Sequence, residues 1–191
     1  MAFRQELITV QRDCKVVTIP YGTPTVLYKD EKVYLTQMLG GSFTLQRDNG
    51  QLVRVDGKDA EAIGKEVPPE AKVFKIPGAE PGVEVDEKEI EKNVWELLKT
   101  CYDPEIPVNI VELGLIYSCK ILPLETGGKR VEVVMTLTAP GCGMSSVLKE
   151  EIEGKLLQTP GVAEAFVDVT FDPPWNQSLM SDAAKLQLGM M

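Results

Sequence analysis

Six short apolar runs occupy the first part of the chain, each four or five residues long and bounded by turn-forming residues. They cover Leu7 to Val10, Val16 to Ile19, Thr25 to Tyr28, Val33 to Gln37, Phe43 to Gln46 and Leu52 to Val55. Tyr21-Gly22-Thr23-Pro24, Lys29-Asp30-Glu31, Gly40-Gly41 and Asp48-Asn49-Gly50 separate them. Runs of this length and spacing predict a small all-β, barrel-like domain over residues 1–64. Asn49-Gly50 suits a tight hairpin because both residues accept the positive φ of a primed turn. The domain shows no cluster of reactive side chains, which favours packing or docking over chemistry.

Residues 65–85 carry Pro68-Pro69, Pro77-Gly78 and Pro81-Gly82, which break helix and sheet alike and mark a linker. Lys72 to Ile76 suggest one short strand inside it.

From residue 86 the apolar period becomes helical. Asp86 with Glu89 three residues on reads as a capping box, and Ile90, Val94, Leu97, Leu98 and Cys101 follow on one face. Two strands come next, Leu115 to Leu122 and Val131 to Thr138, joined by the polar 125–129 loop. Alternation along the second puts Val131, Val133, Met135 and Leu137 on one face, with Thr136 and Thr138 together on the other. A helix with the apolar stripe Met144, Val147, Leu148, Ile152 and Leu156 runs to Thr159-Pro160-Gly161, and a last strand spans Ala163 to Asp172. The fold class is therefore α+β: the small β domain, then an α-β-β-α-β two-layer sandwich over 86–175. A tail over 176–191 holds a short helix and ends on Leu188-Gly189-Met190-Met191, a segment suited either to docking a partner or to packing on its own domain.

Composition narrows the partners. A formal net charge of −9 argues against a nucleic-acid backbone or an anionic membrane as the main partner, since both need a basic face. There is no signal-peptide pattern and no run of about 20 apolar residues, so a cytoplasmic location is expected. Cys14, Cys101, Cys119 and Cys142 are widely spaced and form no CxxC, which argues for thiols in place of a disulfide framework. The chain has 0 histidines, so Ser-His and Cys-His nucleophile pairs and the commonest metal ligand are absent.

The candidate chemistry gathers around Cys142. It sits in Pro140-Gly141-Cys142-Gly143, between a strand and a helix start, where unpaired N–H groups and the helix dipole favour a thiolate. The small flanking residues leave room for a metal, a cluster or a partner's cysteine. Thr136 and Thr138 lie just upstream, and the Asp103-Pro104-Glu105 turn and Glu112 supply carboxylates for one shallow site. Glu112, preceding Leu113-Gly114-Leu115, is expected to enter a strand, where an acid is normally disfavoured. The plainer reading makes Asp103 a turn cap, Glu112 a solvated acid and the threonines ordinary strand formers.

Asp103-Pro104-Glu105-Ile106-Pro107-Val108-Asn109-Ile110-Val111-Glu112-Leu113-Gly114-Leu115-Ile116-Tyr117, with Thr136-Leu137-Thr138-Ala139-Pro140-Gly141-Cys142-Gly143-Met144, resembles the PaaD-like (MIP18-type) domain family of iron–sulfur assembly factors. The Trp175-Asn176 turn and the tail from Met180 to Met190 resemble its bacterial SufT branch, as does the presence of an N-terminal extension. The resemblance implies a non-enzymatic accessory role in iron–sulfur protein maturation beside the SUF machinery. It places the family's reactive cysteine on Cys142, its acids on Asp103 and Glu112, and its threonines on Thr136 and Thr138.

A cluster usually takes four protein ligands. A single thiol therefore implies no tightly bound cofactor, and at most transient iron or a labile iron–sulfur cluster at Cys142, held across a homodimer or completed by a partner. The expected partners are iron–sulfur scaffold or carrier proteins and apo client proteins. A cysteine-dependent thiol enzyme and a pure protein-interaction module are the alternatives.

Overall fold

The structure is a computed structural model that describes residues 6–69, 86–103, 105–139 and 143–190. It divides into two compact units, one built on six strands and grouped with residues 105–107, the other holding the remaining described residues from 86 onward. The linker residues 70–85, including the strand expected over Lys72 to Ile76, lie outside the described residues.

The first unit contains β1 (Glu6–Thr9), β2 (Cys14–Ile19), β3 (Pro24–Leu27), β4 (Lys32–Leu39), β5 (Ser42–Arg47) and β6 (Leu52–Asp56). They form one antiparallel sheet in the order β1-β4-β5-β6-β2-β3. Alternation sets the core: Cys14 and Val16 are buried while Lys15 between them is exposed. Phe43, Leu45, Val53 and Val55 are each 0% exposed. The β5–β6 hairpin closes where expected, with Gly50 at φ 84 and its N–H on the Arg47 carbonyl at 2.9 Å. After β6 a 3-10 helix, Gly57–Ile63, adds Ala60, Ala62 and Ile63 to this core.

The barrel-like expectation is corrected, since the sheet is open. Its edges are β1 and β3, each four residues long. Closure would need every edge group to find a partner, and β3 begins with Pro24, which has no N–H to offer.

The second unit contains α1 (Glu87–Leu98), β7 (Ile116–Pro123), β8 (Lys129–Met135), α2 (Ser145–Leu156) and β9 (Val162–Val169). This is the expected α-β-β-α-β order. β7 and β8 pair antiparallel, whereas β8 and β9 pair parallel. A parallel pair needs a crossover between its strands, and α2 supplies it while packing on β9 and α1. Val131, Val133 and Met135 of β8 are buried with Leu148, Ile152 and Leu156 of α2 and Ile90, Val94 and Leu98 of α1. No helix among the described residues is long and apolar enough to cross a membrane.

Three local expectations change. Asp86 is the residue before α1, yet its side chain makes no capping hydrogen bond, so no capping box forms. β8 stops at Met135 because its partners change there: the Thr136 N–H bonds the Leu115 carbonyl at 2.8 Å and the Met135 carbonyl accepts from Thr170 N–H at 2.9 Å. Thr136 and Thr138 therefore do not share a strand face; Thr136 is 0% exposed and Thr138 is half-exposed. In β9 the pairing skips Ala163, so the inward set is Ala165, Val167 and Val169 opposite Val131, Val133 and Met135. Phe171 lies beyond the strand and is exposed.

The tail returns to its own unit. A 3-10 turn, Gln177–Leu179, leads into α3 (Asp182–Gln187), whose first turn is capped by the Ser181 hydroxyl accepting from Ala184 N–H at 3.1 Å. Met180 and Ala184 are buried, while Leu186 and Met190 remain exposed.

Candidate functional site

Residues 101–103 and 108–115 form the base of a loop and are tied together there. Ile110 N–H bonds the Cys101 carbonyl at 2.9 Å, Tyr102 bridges Asn109, and Asp103 N–H reaches the Val108 carbonyl at 3.3 Å. Apolar side chains anchor it, with Ile110, Leu113 and Leu115 fully buried. Asp103 is itself buried at this base, at 4% exposure. A carboxylate there is disfavoured unless its oxygens are satisfied.

Glu112 lies in the turn that follows, not at a strand start, since β7 begins at Ile116. The turn forms because the Asn109 side chain accepts from Val111 N–H at 3.1 Å and Glu112 N–H at 2.9 Å. Gly114, at φ 69, reverses the chain so that Leu115 N–H bonds the Ile110 carbonyl at 3.0 Å. The Leu115 carbonyl then receives Thr136 N–H. Backbone bonds thus join the segments bearing Asp103, Glu112 and Thr136 in one framework. Cys142, with Pro140 and Gly141, lies outside the described residues; Met144 just beyond is buried and α2 starts at Ser145.

Within this framework the Thr136 hydroxyl is buried and has no hydrogen-bond partner among the described residues. An unsatisfied buried hydroxyl costs about 1–3 kcal/mol. Thr136→Val keeps the shape and removes that cost, so the variant is expected to match or exceed the parent's stability by up to about 1 kcal/mol. A loss of about 2 kcal/mol in urea unfolding would instead show that the hydroxyl makes a stabilising bond.

The three described thiols are poor candidates for chemistry. Cys14 and Cys101 are each 1% exposed, and burial raises the pKa of Cys14. Cys119, in β7, is pushed up to about 11 by burial and by the nearby Glu91 carboxylate. Its folded pKa exceeds the ordinary thiol value of 9.0, so above pH 9.0 the unfolded chain releases a proton the folded chain retains. Stability is expected to be insensitive to this group below pH 9.0 and to fall between pH 9.0 and about 11. Cys119→Ala should flatten that fall in alkaline denaturation; an unchanged profile would contradict the assignment. Among the described residues no group of three or more His, Cys, Asp or Glu side chains is placed to hold a metal ion.

Sequence reasoning missed Asn109, Trp175 and Ser181 as neighbours of the site. The Trp175 indole donates to the Leu113 carbonyl at 2.8 Å, and Ser181 bonds Glu112 through both its amide, at 2.9 Å to the carbonyl, and its hydroxyl, to the carboxylate. Asn109 was legible as a turn-capping type three residues before Glu112. The tail contacts, spanning more than 60 positions, left no local signal.

Residues 91–169, which carry this site, match the family described as iron–sulfur cluster assembly protein, and the chain belongs to that family. Over 102 residues it is 41% identical to the Fe-S protein maturation auxiliary factor of Porphyromonas gingivalis, covering 53% of this chain and 92% of that relative. The Fe-S protein maturation auxiliary factor SufT of Staphylococcus aureus is 35% identical over 88 residues, 46% of this chain and 96% of that protein. Among solved structures, the domain of unknown function DUF59 from Bacillus anthracis is 34% identical and covers 55% of this chain and 95% of its own, with a TM-score of 0.46. Both auxiliary factors are almost wholly accounted for by about half of this chain, so neither carries an added segment the size of the first unit. The expected N-terminal extension is not shared with these two relatives.

Proposed function

We propose that the protein is an accessory factor in iron–sulfur protein maturation that works as a carrier or adaptor and not as an enzyme. The observation that carries this reading is the near full-length match to the Porphyromonas gingivalis auxiliary factor, at 41% identity over 92% of that protein. Cys142 is the working thiol in the proposal, with Asp103, Thr136 and Thr138 framing it and Glu112 holding the turn beside them. Iron or a cluster is cargo, bound transiently: one thiolate falls short of the usual four ligands, and the other three cysteines are buried or held as neutral thiols. Cys142 from two subunits, with a small thiol or a partner's cysteine, would complete the shell. Scaffold or carrier proteins and apo clients are the proposed partners, in the cytoplasm.

In a deletion strain, the specific activity of iron–sulfur enzymes per amount of their polypeptide is expected to fall and to recover with the wild-type gene. Normal specific activity under iron limitation would overturn the maturation role. Anaerobic reconstitution giving a stable, stoichiometric cluster on a monomer would overturn the transient-cargo part.

A further inference from the structure

Three consecutive residues of the site turn each meet a different residue of the C-terminal segment. Glu112 meets Ser181, which donates its amide to the Glu112 carbonyl at 2.9 Å and its hydroxyl to carboxylate Oε2. Leu113 receives the Trp175 indole N–H at 2.8 Å. At Gly114 the tail backbone comes so close that a Cβ would lie 2.1 Å from the Leu179 carbonyl oxygen. With Asn109 holding its N–H at 2.9 Å, Glu112 has its amide, carbonyl and carboxylate all engaged. A hydroxyl donating to a carboxylate is about twice as strong as a neutral pair.

We infer that Ser181 is a positioning residue for the candidate site: it clamps Glu112, and Glu112 serves as the anchor of a C-terminal strap, Trp175–Ser181, and not as a free carboxylate offered to cargo. Ser181 lies 69 positions from Glu112, and its hydroxyl has two duties, donating to Glu112 and accepting from Ala184 N–H at 3.1 Å to cap α3. The two duties separate chemically. Threonine keeps both. Aspartate keeps the cap, since it accepts well at that position, but it faces Glu112 with a like charge and no donor. Glutamine at position 112 keeps an acceptor oxygen for Ser181 and gains a donor for an aspartate.

The inference rests on the proposed maturation role for its cellular readout alone, so the test has two arms on the full chain. The first reads amide hydrogen-exchange protection at position 181. Ser181→Asp is expected to lose protection by about tenfold or more, Ser181→Thr and Glu112→Gln to stay near the parent, and Ser181→Asp with Glu112→Gln to recover. Wild-type protection in Ser181→Asp would assign Ser181 to helix capping alone and overturn the inference. The second arm reads iron–sulfur enzyme activity in the deletion strain, where Ser181→Asp should fail, Glu112→Gln should work, and the double variant should regain function. Failure of Glu112→Gln with protection intact would make Glu112 a working carboxylate and overturn the anchor role. Were the maturation role itself wrong, the wild-type gene would give no rescue while the exchange pattern stood unchanged.

Discussion

Gly114→Ala is expected to lower the melting temperature of the second unit by about 10 °C or more. The added Cβ would sit 2.1 Å from the Leu179 carbonyl oxygen and 2.7 Å from its carbon, and both are backbone atoms that cannot rotate away. Position 114 also holds φ 69, where a residue with a Cβ costs about 1–2 kcal/mol. The strap must then lift, and with it the Trp175 and Ser181 bonds, each worth about 1 kcal/mol or more. The sum is about 3 kcal/mol or more, which in a unit of this size corresponds to the stated shift at about 4 °C per kcal/mol. Calorimetry checks it. A melting temperature equal to the parent's would mean that the strap does not rest on Gly114 in solution.

The second large effect belongs to the first unit. Phe43→Ala should cost it about 3–5 kcal/mol, because Phe43 is fully buried in the middle of the six-stranded sheet and its removal leaves a cavity. Its neighbours in the core are strand residues held by pairing on both sides of β5, so the site collapses poorly around the loss. Tyr21→Ala, at a position 74% exposed, is the control and should stay within about 0.5 kcal/mol. Urea unfolding of both variants gives the comparison; equal costs would contradict the core placed around Phe43.

Elements with a strong local period were readable directly. The six strands of the first unit and both long helices follow from alternation or from the 3.6-residue stripe, which buried Ile90, Val94 and Leu98 declare in α1. What escaped was set by distant partners. β8 ends at Met135 because Leu115 and Thr170 bond its continuation, so the alternation that would pair Thr136 with Thr138 stops where the strand does. The open sheet escaped for a similar reason: whether β1 and β3 meet depends on edge pairing, to which the short strand patterns are blind. At the site, the motif residues were identifiable by resemblance, yet the roles of Asn109, Trp175 and Ser181 emerged from hydrogen bonds made across the fold. Glu112, read as an acid awkwardly entering a strand, is a turn residue with each of its polar groups engaged.

The proposed role turns on the thiol of Cys142, since a thiolate is both the nucleophile and the iron ligand among cysteine's forms. Cys142→Ser preserves size and hydrogen bonding while removing that ligand, so fold and partner contacts survive and the chemistry does not. The decisive measurement is iron–sulfur enzyme specific activity in the deletion strain carrying Cys142→Ser, with the variant's abundance and melting temperature matched to the parent. A working thiol at Cys142 implies activity at the level of the empty deletion strain; restoration to the wild-type level would contradict that role and leave the protein a binding scaffold without thiol chemistry.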